Sequence, residues 1–348
     1  MGLVSTVIFG MIAYAPPMRA LVFASLDTEP QDERPPDFPF WEHVTQRRYA
    51  GPTVLYLGGG YAMTARHVGM GEIQLRDVMH KPVRDSKRSL LNENGSAADV
   101  MIFELDRNAV LPDLPILPIA SEPLQPGEDV LLVGFGRGRG TVIEYDIDGQ
   151  TRFGFSWSKK GEKRWGTNRV SSNSEILSQS NFMTRALSLR FDGPFAPDTT
   201  RYETHAAIGD SGGGVFVQRD GIWKLAAMMI SIGGEARSPR SSTVYGDMTF
   251  AADLTYYRDE ILRWTRPICS NERDDDGDDL IDFPADPGCD SASDRNEWEA
   301  NPFEAKSLWL ATTAALGAGW LIIYLGRRGL RSQRGTSTPN STRPSSAD

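Results

Sequence analysis

Ser211 stands in the run Ala207-Ile208-Gly209-Asp210-Ser211-Gly212-Gly213-Gly214-Val215-Phe216-Val217. Glycines on both sides of it permit tight and left-handed backbone, and the apolar residues that follow read as a buried strand. Such a turn can push a hydroxyl into a cleft while aiming the N–H groups of Gly209 and Ser211 at one point beside it. Acyl transfer needs that arrangement, because charge developing on a carbonyl oxygen must meet donors already in place. A plain glycine-rich turn between two strands is the other reading of the same residues.

A serine hydroxyl is a weak nucleophile near neutral pH, so it needs a base, and the base needs an orienting carboxylate. The chain has four histidines, His43, His67, His80 and His205. His67 closes Thr64-Ala65-Arg66-His67, just past the apolar run Val54-Leu55-Tyr56-Leu57. Asp99 opens the apolar run Val100-Met101-Ile102-Phe103-Glu104-Leu105. Asp77, Asp106 and Asp113 compete with it: the first lies close behind His67, and the other two flank a Pro-rich connector. The candidate order along the chain is therefore His67, Asp99, Ser211.

Side chains so distant in sequence need a fold to bring them together, and the texture between residues 43 and 266 is all-β. Short apolar runs at 54–57, 100–105, 130–135, 186–191, 215–217 and 225–232 are separated by Gly, Pro, Asn and Asp. Thr255 to Thr265, with Tyr256, Tyr257, Ile261, Leu262 and Trp264, reads as a closing helix.

In these segments the chain resembles the trypsin/chymotrypsin-like serine peptidases. Gly209-Asp210-Ser211-Gly212-Gly213 is similar to that family's nucleophile motif, Thr64-Ala65-Arg66-His67 to its histidine motif, and Asp99-Val100-Met101 to its aspartate motif. Ser231-Ile232-Gly233 resembles the short strand that lines the substrate cleft, and the likeness covers roughly residues 40–265. It implies two β-barrels meeting near residues 111–126, with His67 and Asp99 on the first, Ser211 on the second, and the site between them. It also implies an oxyanion hole from the Gly209 and Ser211 amides, and it places His205 at the base of the primary pocket. A histidine there argues against a preference for Lys or Arg and favours an acidic side chain or a narrowed pocket. Animal members free an Ile-Val-Gly-Gly-like N-terminus that pairs with the acid before the serine; no such sequence precedes Val54, so Asp210 needs another partner.

The formal net charge of −9 is a local property. Twelve Asp and Glu lie between Cys269 and Glu299 against Arg273 and Arg295, which leaves the rest of the chain near neutrality and gives no support to a nucleic-acid surface. Cys269 and Cys289 are the only cysteines and bracket this stretch, residues 267–300. So polar a loop has almost no core and needs a staple or a metal. A Cys269–Cys289 disulfide would remove about 3 kcal/mol of unfolded-state entropy and implies an oxidising compartment. Asp274, Asp276 and Asp278 alternate as hard oxygen ligands do in calcium loops, with Asp282 as a further candidate ligand. The segment resembles Asp-rich, cysteine-bracketed repeats found before the anchors of bacterial surface proteins, although Asp279 replaces the turn glycine and Ala285 the closing Glu. A solvated acidic stalk is the alternative.

Residues 1–24 are a candidate signal peptide, with an apolar stretch over 3–13 too short to span a bilayer and a cleavage pattern ending at Ala24; 25–42 read as a linker. Residues 307–326 are uncharged and long enough to cross a membrane, and Arg327, Arg328, Arg331 and Arg334 follow at once. The positive-inside bias puts the tail 327–348, which is Ser/Thr/Pro-rich and expected to be disordered, in the cytoplasm, and the catalytic region outside it. The expectation is an anchored bacterial-envelope serine endopeptidase acting on proteins or peptides, without a cofactor for catalysis and with calcium in the Asp-rich loop. A catalytically inactive surface-binding or adhesion protein on the same fold is the rival.

Overall fold

The computed structural model describes residues 20–25, 33–48, 51–147, 149–159, 161–179, 181–234, 239–292, 294 and 297. The chain divides into two compact units after Arg266. The candidate span 307–326 and the tail lie outside the described residues, among which no helix is long and apolar enough to cross a membrane.

The first unit is built almost entirely of antiparallel strands. Val44–Gln46, Thr53–Gly58, Tyr61–Thr64, Ala97–Glu104 and Arg88–Leu91 pair in that order into a five-stranded sheet. An isolated bridge between Arg47 and Ile73 carries a hairpin, Ile73–Leu75 with Val78–His80, onto its edge. The later residues close a six-stranded barrel of Arg164–Gln179, Phe182–Arg190, Met248–Asp253, Ile222–Gly233, Gly214–Arg219 and Asp129–Gly134. A third sheet of Arg139–Ile147, Gln150–Trp157 and Ser242–Val244 lies alongside in the chain.

The period-two alternation of side chains in these strands sorts the core. In Thr53–Gly58 every residue is buried, because the two faces serve different clusters. Val54 and Tyr56 pack with Ala62, Met101 and Phe103 inside the first sheet. Leu55 and Leu57 face the other way, into a cluster with Leu131, Val133, Phe216 and Leu225 of the barrel. Within Asp129–Gly134, Leu131 and Val133 belong to that shared cluster while Val130 and Leu132 fill the barrel interior. The two halves thus share one continuous apolar interface, each fully buried Leu, Val or Phe contributing about 1.5–3 kcal/mol.

The Pro-rich connector makes the passage between the halves as irregular chain: Leu117 N–H donates to Leu57 O at 2.9 Å and Leu225 N–H to Pro118 O at 2.9 Å. The expected closing helix is present as Arg258–Thr265, with Ile261 and Leu262 buried. Residues 20–24, assigned by sequence to a leader, lie inside the fold instead. Ala20, Leu21 and Val22 are fully buried, and Val22–Phe23 pairs with Thr204–His205.

Candidate active site

His67 stands on a turn just after the strand Tyr61–Thr64, where the Val68 N–H bonds back to Ala65 O at 3.0 Å. Asp99 lies in Ala97–Glu104, the strand paired with Tyr61–Thr64. The pairing sets the two residues side by side. Asp99 Oδ1 accepts the His67 backbone N–H at 2.8 Å and Oδ2 lies 2.6 Å from His67 Nδ1. One carboxylate therefore fixes both the backbone and the ring of the same residue. With the carboxylate ionised, Nδ1 carries the proton and Nε2 is left to accept one. The Asp99 N–H donates in turn to Thr184 Oγ1 at 2.9 Å, and Asp99 is 1% exposed. His67 keeps 41% of its side chain exposed, whereas His43, His80 and His205 are buried. Of the four, His67 alone has both an acid partner and access to solvent.

Ser211 shares a cleft of about 260 Å³ with His67; the other walls include Gln179, Ala207, Ile208, Met229 and Ser231. The turn that carries it is held from several sides. Asp210 N–H donates to Ala207 O at 3.0 Å, Gly212 N–H to Met229 O at 2.8 Å and Gly213 N–H to Asp210 O at 2.7 Å. The amides of Gly209 and Ser211 make no such bond among the described residues. They are the two groups assigned by sequence to an oxyanion hole. The Gly209 carbonyl is pinned by Thr53, whose N–H and Oγ1 donate to it at 3.1 and 2.9 Å. Gly209 adopts φ +101° with Gly136 packed against it, and a Cβ there would meet Gly136 Cα at 2.9 Å, so glycine is required on both counts.

Asp210 is fully buried and, among the described residues, pairs with no cation. Its carboxylate takes the N–H groups of Gly136 at 2.7 Å and Ala207 at 2.9 Å, and the Leu21 N–H as well. Burial pushes it up to about 7 against the pull of these amides. The partner missing from the sequence before Val54 is thus supplied by backbone, part of it from Leu21.

His205 does not reach the cleft. It is 1% exposed, its Nδ1 lies 3.4 Å from Thr243 Oγ1, and burial holds it down at about 4, so it is neutral near pH 7. The wall at that point is Ala206 and Ala207, and with the imidazole away from it the expected attraction for acidic side chains has no source. Ser231 does line the cleft, where its Oγ accepts from Gln179 Nε2 at 2.7 Å. Gly233 lies beyond it, against the Phe250 ring. Thr53, Gly136, Gln179, Thr184 and Leu21 were not singled out by sequence. The glycine run Gly134-Phe135-Gly136-Arg137-Gly138 was the one visible signal among them.

In the second unit Cys269 and Cys289 form a disulfide with Cα atoms 5.7 Å apart. Asp274, Asp276 and Asp278 each bring an oxygen within 4.8 Å of the others and could hold an ion. Asp282 is elsewhere: its oxygens accept the N–H groups of Asn271 at 2.9 Å and Glu272 at 2.6 Å.

No family model matches the sequence, and no curated protein matches it. Solved structures do match, and they are trypsin-like serine proteases and their relatives. Rv3671c from M. tuberculosis H37Rv, in an inactive form, is 15% identical over 68% of this chain and 96% of that one, with a TM-score of 0.40. A mutant of human heparin binding protein (CAP37) is 16% identical over 66% of this chain and 93% of its own, at 0.41. Kallikrein-related peptidase 10 in complex with Zn2+ is 14% identical over 66% and 98%, also at 0.41. Likeness at these identities and scores does not bear on activity.

Proposed function

We propose that the chain is a serine endopeptidase that cleaves proteins or peptides through an acyl-enzyme. The observation that carries this reading is the double hold of Asp99 on His67, at 2.8 and 2.6 Å, beside a cleft that Ser211 shares. His67 Nε2 takes the Ser211 proton as Oγ attacks the carbonyl carbon. The Gly209 and Ser211 amides receive the oxyanion. The imidazolium then protonates the leaving amine, and Asp99 stabilises its charge throughout. Water attacks the acyl-enzyme by the same route and restores Ser211.

The walls Ala206, Ala207, Ile208, Met229 and Ile230 make the cleft apolar, with Gln179 and Ser231 as its polar edge. An apolar side chain next to the scissile bond is the substrate class that fits. Digestion of a peptide library by the native chain and by Ser211→Ala tests both points. Cleavage after apolar residues that disappears with Ser211→Ala supports the reading. A folded native chain that cuts nothing favours the binding-protein alternative.

The sequence further supports an anchored protein, with 307–326 spanning the membrane and the Arg-rich tail inside the cell. Protease treatment of intact cells checks this. Loss of the catalytic unit with protection of the tail is expected; protection of the whole chain contradicts it.

A further inference from the structure

We infer that the strands Arg164–Gln179 and Phe182–Arg190 wall the cleft at Ser231 and that Gln179 stops the recognition of substrate just ahead of the scissile bond; the inference rests on the peptidase reading of the site. An apolar side chain seated among Ala206, Ala207, Ile208, Met229 and Ile230 brings the chain that precedes it past Ser231 and Ile232. Those residues offer a sheet edge. Ile222–Gly233 pairs with Met248–Asp253 as far as Gly233, but with Gly214–Arg219 only from Ile222 to Met228. An edge of this kind lets an extended peptide add as a further strand, each main-chain hydrogen bond lengthening the sequence that is read. Gln179 stands where that strand would run: its Nε2 donates to Ser231 Oγ at 2.7 Å, and both residues line the cleft.

The strands that carry Gln179 are fixed from both halves of the first unit. One pairs with Asp129–Gly134 only over Arg164–Arg169, and the other with Met248–Asp253 only over Ala186–Arg190. Beyond those points, from Glu175 to Gln179 and from Phe182 to Arg185, the strand pairing among the described residues is between these two alone. Register shifts on either side of Ser172 bend the projecting part. Its return strand is then fastened residue by residue. Arg66 Cζ lies 4.8 Å from the centre of the Phe182 ring, Met183 O accepts from Asn92 Nδ2 at 2.6 Å, and Thr184 Oγ1 accepts the Asp99 N–H at 2.9 Å. Arg185 N–H donates to the Tyr257 hydroxyl at 3.1 Å. Gln179 and Phe182 are direct partners in the register. The pair therefore bridges from Ser231 of the barrel to Arg66, the neighbour of His67.

The substrate class follows from this wall. With the edge covered, the chain ahead of the apolar residue must turn out of the cleft at once. N-terminal ends and unstructured segments meet that demand, whereas a segment held extended does not. Selection then comes from the apolar residue itself and from the leaving side.

The test uses the full chain in detergent and leucine p-nitroanilides that carry an acetyl group or one, two or three further residues ahead of the leucine. For the native chain kcat/KM should stay level as residues are added. In Gln179→Gly, and in Phe182→Ala, it should rise with length by about tenfold, the worth of a main-chain hydrogen bond or two gained along the edge. Each variant is read as the ratio of its longest to its shortest substrate. A change that only weakens the support of Asp99 through Thr184 lowers every rate alike and leaves that ratio where it was. A native chain whose kcat/KM climbs with length, or Gln179→Gly without any climb, overturns the inference and leaves the peptidase reading intact. A native chain that hydrolyses none of the four and takes no fluorophosphonate on Ser211 overturns the reading itself, and this inference with it.

Discussion

The backbone N–H of Leu21 donates to the carboxylate of Asp210, the residue that precedes the candidate nucleophile. A segment far upstream therefore helps to support the floor of the site. Asp210 is raised to about 7 chiefly by burial, so between its unfolded value of 3.8 and about 7 the folded chain holds more protons at this position than the unfolded one. The stability linked to Asp210 is complete below 3.8 and is lost as pH rises through 7. Glu203, also pushed up to about 7, acts in the same direction, and the buried His205, held down at about 4, acts in the opposite one. Asp210→Asn removes only the first contribution. Its stability relative to the native chain should climb as pH is raised from 4 to 7, read as the difference in urea midpoints. A difference that stays flat with pH refutes the assignment.

Removal of residues 20–24 should damage the first unit. Leu21 and Val22 are fully buried and Val22–Phe23 pairs with Thr204–His205. Burial of each such side chain contributes about 1.5–3 kcal/mol. A chain that starts at Ser25 should melt well below one that starts at Ala20, and its Ser211 should react more slowly. Equal melting temperatures would show that the segment is dispensable.

Thr53 joins the first sheet to the nucleophile turn. Its Oγ1 donates to Gly209 O at 2.9 Å and accepts from Phe135 N–H at 3.0 Å. Thr53→Val keeps the shape and removes both bonds, at a cost of about 1–3 kcal/mol. Because Gly209 is also a proposed oxyanion donor, turnover should fall by more than that loss of stability explains. The comparison of kcat with the unfolding free energy checks this; unchanged kcat in a folded variant speaks against the role.

Asp99→Asn places an amide where His67 N–H and Nδ1 now meet carboxylate oxygens. The favoured tautomer then has its proton on Nε2, the wrong nitrogen for a base. A loss on the order of 10^4 in kcat is expected, the size seen for the equivalent change in a protease triad. Nitrogen-resolved NMR of the imidazole checks the tautomer directly.

How much of this was legible beforehand depended on whether a residue advertises itself locally. Ser211, His67 and Asp99 sit in short patterned segments with apolar strands beside them, and period two and turn residues place those strands. The runs at 54–57 and 215–217 fall within observed strands, and those at 100–105 and 130–135 each overrun theirs by one residue. Arg139–Ile147 and Arg164–Gln179 escaped notice because polar residues are scattered along both and leave no continuous apolar run. Thr53 and Thr184 act through a single hydroxyl across the fold, and nothing in their own neighbourhoods marks it. Leu21 was masked by composition: a short apolar stretch with small residues reads equally as a leader and as buried strand. His205 was misplaced by spacing alone, since position along a chain does not say which face of a two-residue strand meets the cleft.

The central claim is that His67 activates Ser211, and the rate at which a fluorophosphonate acylates the chain measures it. The native protein should become labelled on Ser211, located by peptide mass. Ser211→Ala should abolish the adduct and His67→Ala should reduce the rate to that of an ordinary serine. A folded native chain left unlabelled, or labelling indifferent to His67, would contradict the account.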